Sequence, residues 1–198
     1  YQTWDGVGTC TATGTTGVEG CAKPSVAILS TGNESAEPGQ PLAPGQIYDI
    51  NRFTLEAVVR RHGGRSVALP IAADSVEDLS AALDAALVHD IVVFSGGSSV
   101  GERDLILDVL HQRGTVHFHG IAVKPGKPTV FGSIEGTPVF GMPGYPTSCL
   151  SNAYMMLVPF LRAVARLPAW APRTVEAPIA RRVVSTTGRH QFYTVKLV

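Results

Sequence analysis

The sequence predicts an α/β fold: a three-layer arrangement in which a mostly parallel sheet carries helices on both faces, followed by part of a small β domain. Three observations carry this expectation. Short runs with no polar face, SVAILS at 25–30 and IVVFS at 91–95, have the character of strands buried on both sides. Segments of helical period alternate with such runs, the pattern of βαβ units. Small-residue loops follow the strand ends directly, where open α/β sheets bind ligands.

The elements follow in order. Residues 1–23 are rich in Gly and Thr and show neither helix nor strand period, so they read as a tail or the remnant of an upstream region. After the strand at 25–30, a Gly/Pro-rich loop extends to Gly45. Leu55, Val58 and Val59 have helical spacing within 51–62, and Gly63-Gly64 ends that helix. A strand is expected at 65–71. Asp74 or Ser75 can cap a helix over 76–88, with Glu77 and Asp78 placed for a capping box. Beyond the strand at 91–95, a helix over 104–112 stops at Gly114, and a strand follows at 116–123. Residues 129–132 and 137–141 read as a hairpin around Glu135-Gly136. Pro146 opens a long helix to Arg166, with a kink expected at Pro159. Residues 168–178 form a Pro-rich linker. Strands at 174–185 and 191–198, around Thr187-Gly188, would be marginal as a pair and are read as the start of a β domain. The expected divisions are 1–23, 24–167 and 168–198.

Composition bounds the function. At roughly 150 residues per domain, 198 residues make one domain and a remainder. Hydrophobic residues at 44% against 16% charged supply a real core and argue against extended disorder. Sixteen Lys plus Arg balance sixteen Asp plus Glu, which argues against electrostatic wrapping of nucleic acid but leaves room for a local anion site. No apolar run reaches the ~18 residues of a membrane span. No basic segment leads into an apolar one at the N-terminus. Cys10, Cys21 and Cys149 are odd in number and lack metal-ligand spacing, which fits a reduced, cytoplasmic protein.

Three loops at strand ends carry the chemistry. They are Ser30-Thr31-Gly32-Asn33-Glu34, the run from Ser95 through Gly96, Gly97, Ser98, Ser99 and Gly101 to Asp104, and Gly141-Met142-Pro143-Gly144-Tyr145-Pro146-Thr147-Ser148. The second and third lead into helices. Glycines let backbone N–H groups converge, the helix N-terminus adds positive potential, and hydroxyls add donors, which is anion-binding chemistry suited to phosphate. Each loop alone also reads as an ordinary strand–helix turn. Lys124-Pro125-Gly126-Lys127-Pro128 holds two ammonium groups on a stiff turn, either a clamp on an oxyanion or a solvated turn. It is not a Walker A loop, because Pro128 stands where Ser or Thr would hold magnesium. Glu34, Asp49, Asp74 and Asp104 lie at strand–helix junctions, either as helix caps or as carboxylates holding Mg²⁺ among phosphates. His117 and His119 share a strand face without an obvious third ligand, and Cys149 reads as packing.

Five segments in order, VAILSTGNE (26–34), GQIYDINR (45–52), SGGSSVGERD (95–104), VKPGKP (123–128) and GMPGYP (141–146), resemble the molybdopterin molybdenumtransferase family, known as MoeA in bacteria and as the gephyrin E domain in animals. The tail TTGRHQFYTVKL is similar to the opening of that family's C-terminal β domain. The resemblance implies a MogA-like molybdopterin-binding unit. Its substrates would be adenylylated molybdopterin and molybdate (or tungstate), and AMP would leave as the metal enters the dithiolene. It implies catalytic parts for Glu34, Asp74, Asp104, Lys124 and Lys127, with Asp74 and Asp104 organising Mg²⁺. It places Thr31, Gly32, Asp49, Asn51 and the Gly96–Gly101 loop around the bound pterin or phosphate, together with Pro143, Gly144, Tyr145, Pro146, Ser148 and, from the C-terminal segment, Arg189.

The sequence departs from the family pattern at Asn33, where GDE is usual, at Ser98, where GGVSVG is usual, and at Tyr145, where PGNP is usual. The family's N-terminal domains, which complete the site across a homodimer, are not recognisable in residues 1–23, so the chain is expected to be a piece of a longer protein. Two further readings stand beside insertion: a molybdopterin adenylyltransferase acting one step earlier, which would not need the segment after Arg166, and a non-catalytic scaffold that binds the same molecule. None of the three calls for nucleic acid or membrane.

Overall fold

The structure is a computed structural model that describes residues 2–4, 10–12, 23–32, 34–96, 105–185 and 187–196. Near the N-terminus, where neither period is legible in the sequence, β1 (Gln2–Trp4) and β2 (Cys10–Ala12) pair antiparallel. The main unit then runs β3 (Ser25–Ser30), β4 (Ser35–Ala36), β5 (Ile47–Tyr48), α1 (Asn51–Arg61), β6 (Arg65–Ala68), α2 (Val76–Ala86), β7 (Ile91–Ser95) and α3 (Leu105–Arg113). It continues through β8 (Thr115–His119), β9 (Val123–Lys124), β10 (Val130–Ile134), β11 (Thr137–Met142), α4 (Pro146–Asn152), a π-helical turn (Ala153–Leu157), α5 (Val158–Val164) and β12 (His190–Gln191).

Six strands form the central sheet in the order β6-β3-β7-β11-β10-β8. The pairs β6–β3, β3–β7 and β7–β11 are parallel, and β10 alone runs against its neighbours β11 and β8. The expected mostly parallel sheet is therefore present. Both faces are covered, which is why β3 and β7 carry no polar face. Val26, Ile28, Ile91, Val93, Phe140 and Met142 pack under α1, α4 and α5 on one side. Ala27, Leu29, Val92, Phe94 and Val139 pack under α2 and α3 on the other. From β3 the chain passes through α1 to β6 on one flank, then through α2 to β7 on the other. The strand order thus reverses between the carboxyl ends of β3 and β7, the place where such sheets leave a crevice.

Local expectations are met with small changes of boundary. Ser75, not Asp74, caps α2: its Oγ accepts from Asp78 N at 3.0 Å and donates to the Asp78 carboxylate at 2.6 Å. The hairpin turns at Glu135 and Gly136, both at positive φ (50° and 84°), as a two-residue turn between right-twisted strands requires. The long C-terminal helix accommodates Pro159 through the π-helical turn before it, where the Val158 N–H reaches back five residues to the Ala153 carbonyl. Among the described residues no strand forms over 174–185 or 192–196, and Val175, Ile179 and Val184 are exposed. Instead β12 pairs in parallel with β9, His190 opposite Val123 and Gln191 opposite Lys124.

Candidate functional site

A cleft of about 440 Å³ opens at the switch point, lined by parts of four of the five quoted segments and by Pro128 of the fifth. The first and second loops meet through their backbones. Thr31 N donates to the Ser95 carbonyl at 3.0 Å, extending the β3–β7 ladder by one step. At Gly96, φ is +96° and a Cβ would stand 2.4 Å from the Thr31 carbonyl oxygen, so only glycine permits this approach. The third loop closes the triangle: a Cβ on Gly144 would lie 3.6 Å from Gly96 Cα.

The fourth wall comes from the segment around Asp49. Ile47 N donates to the Glu34 carbonyl (2.8 Å) and Asp49 N to the Ala36 carbonyl (2.9 Å), folding β5 against β4. Asp49 then turns into α1 by accepting from Arg52 N through Oδ1 at 3.2 Å. The Arg52 guanidinium is bound by Glu37, which raises its pKa above the usual arginine value and holds the 37–49 loop to the helix. Asn51 donates from Nδ2 to the Gly144 carbonyl at 2.7 Å. With that bond made, the remaining buried polar atoms of the cleft are unspent: Ser30 Oγ, Thr31 Oγ1, Asp49 Oδ2 and Asn51 Oδ1 have no hydrogen-bond partner among the described residues. Buried polar atoms are rarely left in this state unless water or a ligand completes them.

Of the residues singled out from the sequence, Thr31, Glu34, Asp49, Asn51, Gly96, Pro143, Gly144, Tyr145 and Pro146 line the cleft. Gly32 is buried behind it, against the Glu34 carboxylate. Ser148 is buried on α4, outside the lining. Asp74, Lys124, Lys127 and Arg189 are exposed and also lie outside the lining, although Pro128, next to Lys127, reaches it. Asn33, Gly97, Ser98, Ser99, Gly101 and Asp104 fall outside the described residues. Cys149 packs against Ser95, and burial pushes its thiol up to about 12, so it is no nucleophile at neutral pH.

Sequence reasoning missed Ile47, Tyr48 and Ile50, an apolar wall 41 to 60% exposed. Their only signal was the place beside Asp49 in GQIYDINR. Among the described residues no three His, Cys, Asp or Glu side chains converge to hold a metal. Mg²⁺ needs fewer protein ligands, since one or two carboxylates with substrate phosphates suffice. The cleft carboxylates Glu34 and Asp49 fit that donor set.

No described helix is long and apolar enough to cross a membrane. A protein-family profile described as a probable molybdopterin binding domain matches residues 27–163. The chain is 37% identical over 169 residues to the molybdopterin molybdenumtransferase of Haemophilus influenzae, covering 84% of this chain and 42% of that protein. It is 37% identical over 174 residues to molybdopterin molybdenumtransferase 2 of Mycobacterium tuberculosis, covering 84% and 43%. Among solved structures, the molybdopterin biosynthesis MoeA protein from Pyrococcus horikosii superposes with a TM-score of 0.67 at 48% identity, over 73% of this chain and 36% of that one. The chain thus spans less than half the length of these relatives. The five motifs and the folded core agree with them, and the chain belongs to the molybdopterin-binding domain family.

Proposed function

We propose that the cleft binds adenylylated molybdopterin and that the chain is the core of a molybdopterin molybdenumtransferase, inserting molybdate or tungstate with release of AMP. The observation that carries this reading is the set of unspent polar atoms in the cleft between three glycine-bearing loops and the Asp49 segment. Asp49 Oδ2 and Asn51 Oδ1 are acceptors, the amide being oriented by its bond to Gly144. Acceptors at the closed end of a cleft call for a ligand with N–H donors, and the amino-pyrimidine edge of a pterin or the amine of adenine has them. The glycine loops and the start of α4 suit phosphate, and the apolar wall of Ile47, Tyr48 and Ile50, with Tyr145, suits a flat ring.

In this reading Glu34, with Asp104 as a further candidate, would hold Mg²⁺, which would supply charge neutralisation at phosphoryl oxygens, while Asp49 is left to the ligand's N–H groups. Lys124, Lys127 and Arg189 would draw in the oxyanion. Residues 24–167 form the binding unit, and 168–198 the linker and first part of a C-terminal β domain. A homodimer of the longer protein, working in the cytoplasm, completes the proposal.

The test is AMP release from adenylylated molybdopterin, with and without molybdate and Mg²⁺, beside Asp49→Asn. That variant keeps an oxygen for Arg52 N and removes the charge. Molybdate-dependent release that falls about tenfold or more in the variant supports the reading. Formation of the adenylylated species from ATP and molybdopterin would favour the adenylyltransferase instead. Tight binding with no release in either protein would favour the scaffold.

A further inference from the structure

Lys124 and Lys127 lie outside the cleft lining, yet the turn between them is tied down from beneath. Asn152, the last residue of α4, is wholly buried. Its Nδ2 donates to the Gly126 carbonyl at 2.8 Å and to Thr129 Oγ1 at 2.6 Å. Thr129 Oγ1 donates in turn to the same carbonyl at 2.9 Å. Two amide hydrogens and one hydroxyl hydrogen thus close a three-bond ring with no donor left over. Gly126 sits at φ +106°, and a Cβ there would stand 2.5 Å from Asn152 Nδ2, so the amide seats directly against the glycine. The next carbonyl, that of Lys127, accepts from Ile121 N (3.0 Å) and Thr129 N (2.8 Å).

A buried amide costs stability unless it is satisfied; here both Nδ2 hydrogens are spent on a loop 23 and 26 residues earlier, not on its own helix, while Oδ1 has no partner among the described residues. The same helix begins at Pro146 on the cleft lining. Asn152 therefore links the pterin-side loop to the lysine turn through one rigid element.

We infer that Asn152 is a positioning residue that fixes the Lys124–Lys127 turn against α4, so that the two ammonium groups stand at the cleft mouth and take up the charge of an oxyanion substrate. The oxyanion half rests on the function proposed above; the anchoring half does not. A lysine ammonium rides on a flexible four-carbon stem, so fixing its backbone end is what raises the fraction of time it spends in place.

The experiment compares this chain with Asn152→Ala, Lys127→Ala and the double variant. It reads hydrogen exchange at the Ile121 and Thr129 amides, the molybdate concentration giving half-maximal AMP release, and AMP affinity. In Asn152→Ala both amides should exchange about tenfold faster while those of β3 and β7 hold. Half-saturating molybdate should rise about tenfold with AMP affinity little changed, and the double variant should be no worse than the worse single one. Unchanged exchange, losses that multiply in the double variant, or an equal fall in AMP affinity would overturn the inference. Should Asn152→Ala fail to fold, Thr129→Val removes the hydroxyl at constant shape and is read the same way. If the parent chain releases no AMP, the proposed function fails, and exchange at Ile121 and Thr129 still decides whether Asn152 anchors the turn.

Discussion

Asn51 and Gly144 stand 93 residues apart in sequence and meet at 2.7 Å, side-chain amide to backbone carbonyl. Asn51 is 7% exposed, so this bond is shielded from water. Through it the first turn of α1 sets the distance between the Asp49 segment and the GMPGYP loop. Asn51→Ala should cost about 1–2 kcal/mol of stability, because a carbonyl loses its donor. It should cost more in ligand affinity, about tenfold or above, because two walls of the cleft are freed together. Urea unfolding and AMP titration of the same preparation separate the two effects.

Gly96 carries a second prediction. Its φ of +96° and the Thr31 carbonyl 2.4 Å from a would-be Cβ leave no room for alanine. Gly96→Ala should lower stability by about 2–3 kcal/mol, since strain and clash add at one residue. Gly136→Ala is the control: it has positive φ (84°) but nothing within 4 Å, so it bears strain alone and should cost about 1 kcal/mol. Urea midpoints at constant slope give both values.

Cys149 offers a chemical readout. Its thiol is pushed up to about 12 by burial, against a smaller opposing effect of the Ser95 contact. The thiolate that alkylating reagents need is therefore nearly absent at neutral pH. Iodoacetamide labelling of the Cys149 peptide, followed by mass spectrometry, should proceed at the rate of unfolding and jump in denaturant. Labelling at the rate of a free thiol in the native protein would contradict the packing shown here.

How far the sequence foretells the molecule depends on what surrounds each segment. Residues 25–30 and 91–95 are legible because both faces of β3 and β7 are buried, which leaves an unbroken apolar run in the text. Glu135-Gly136 is legible because the turn geometry itself demands those residue types. The C-terminal strands are illegible in the opposite sense. Val175, Ile179 and Val184 have strand character, but a strand needs a covering layer, and no covering layer is described there. In the cleft, glycines and acids announce themselves, whereas Ile47, Tyr48 and Ile50 look like any apolar residues before a helix. Asn152 is the hardest to read, because its importance lies in a partner 26 residues away and not in its own helix.

His62 gives the pH dependence. It closes the C-terminal end of α1 at 1% exposure, with its ring edge-on to Trp170 (4.7 Å) and Tyr154 (5.5 Å). Neither ring nitrogen has a partner among the described residues. Burial first, then the positive charges of Arg162 and Arg61, lower its pKa below the ordinary 6.5. The helix C-terminus alone would favour the charged ring, and burial outweighs it. In the unfolded chain the imidazole takes up its proton near 6.5, while the folded protein refuses it until a lower pH. Stability from this residue is therefore complete above that value and is lost as pH falls, by at most about 1.4 kcal/mol per pH unit, levelling off below the folded value. His62→Phe keeps a ring against Trp170 and Tyr154 and removes the titration. Urea midpoints of the two proteins should diverge, in favour of the variant, as pH falls through about 6.5, and level off once the folded protein also takes up the proton. A difference that stayed constant as pH fell through 6.5 would mean that the folded protein protonates His62 as easily as the unfolded chain does.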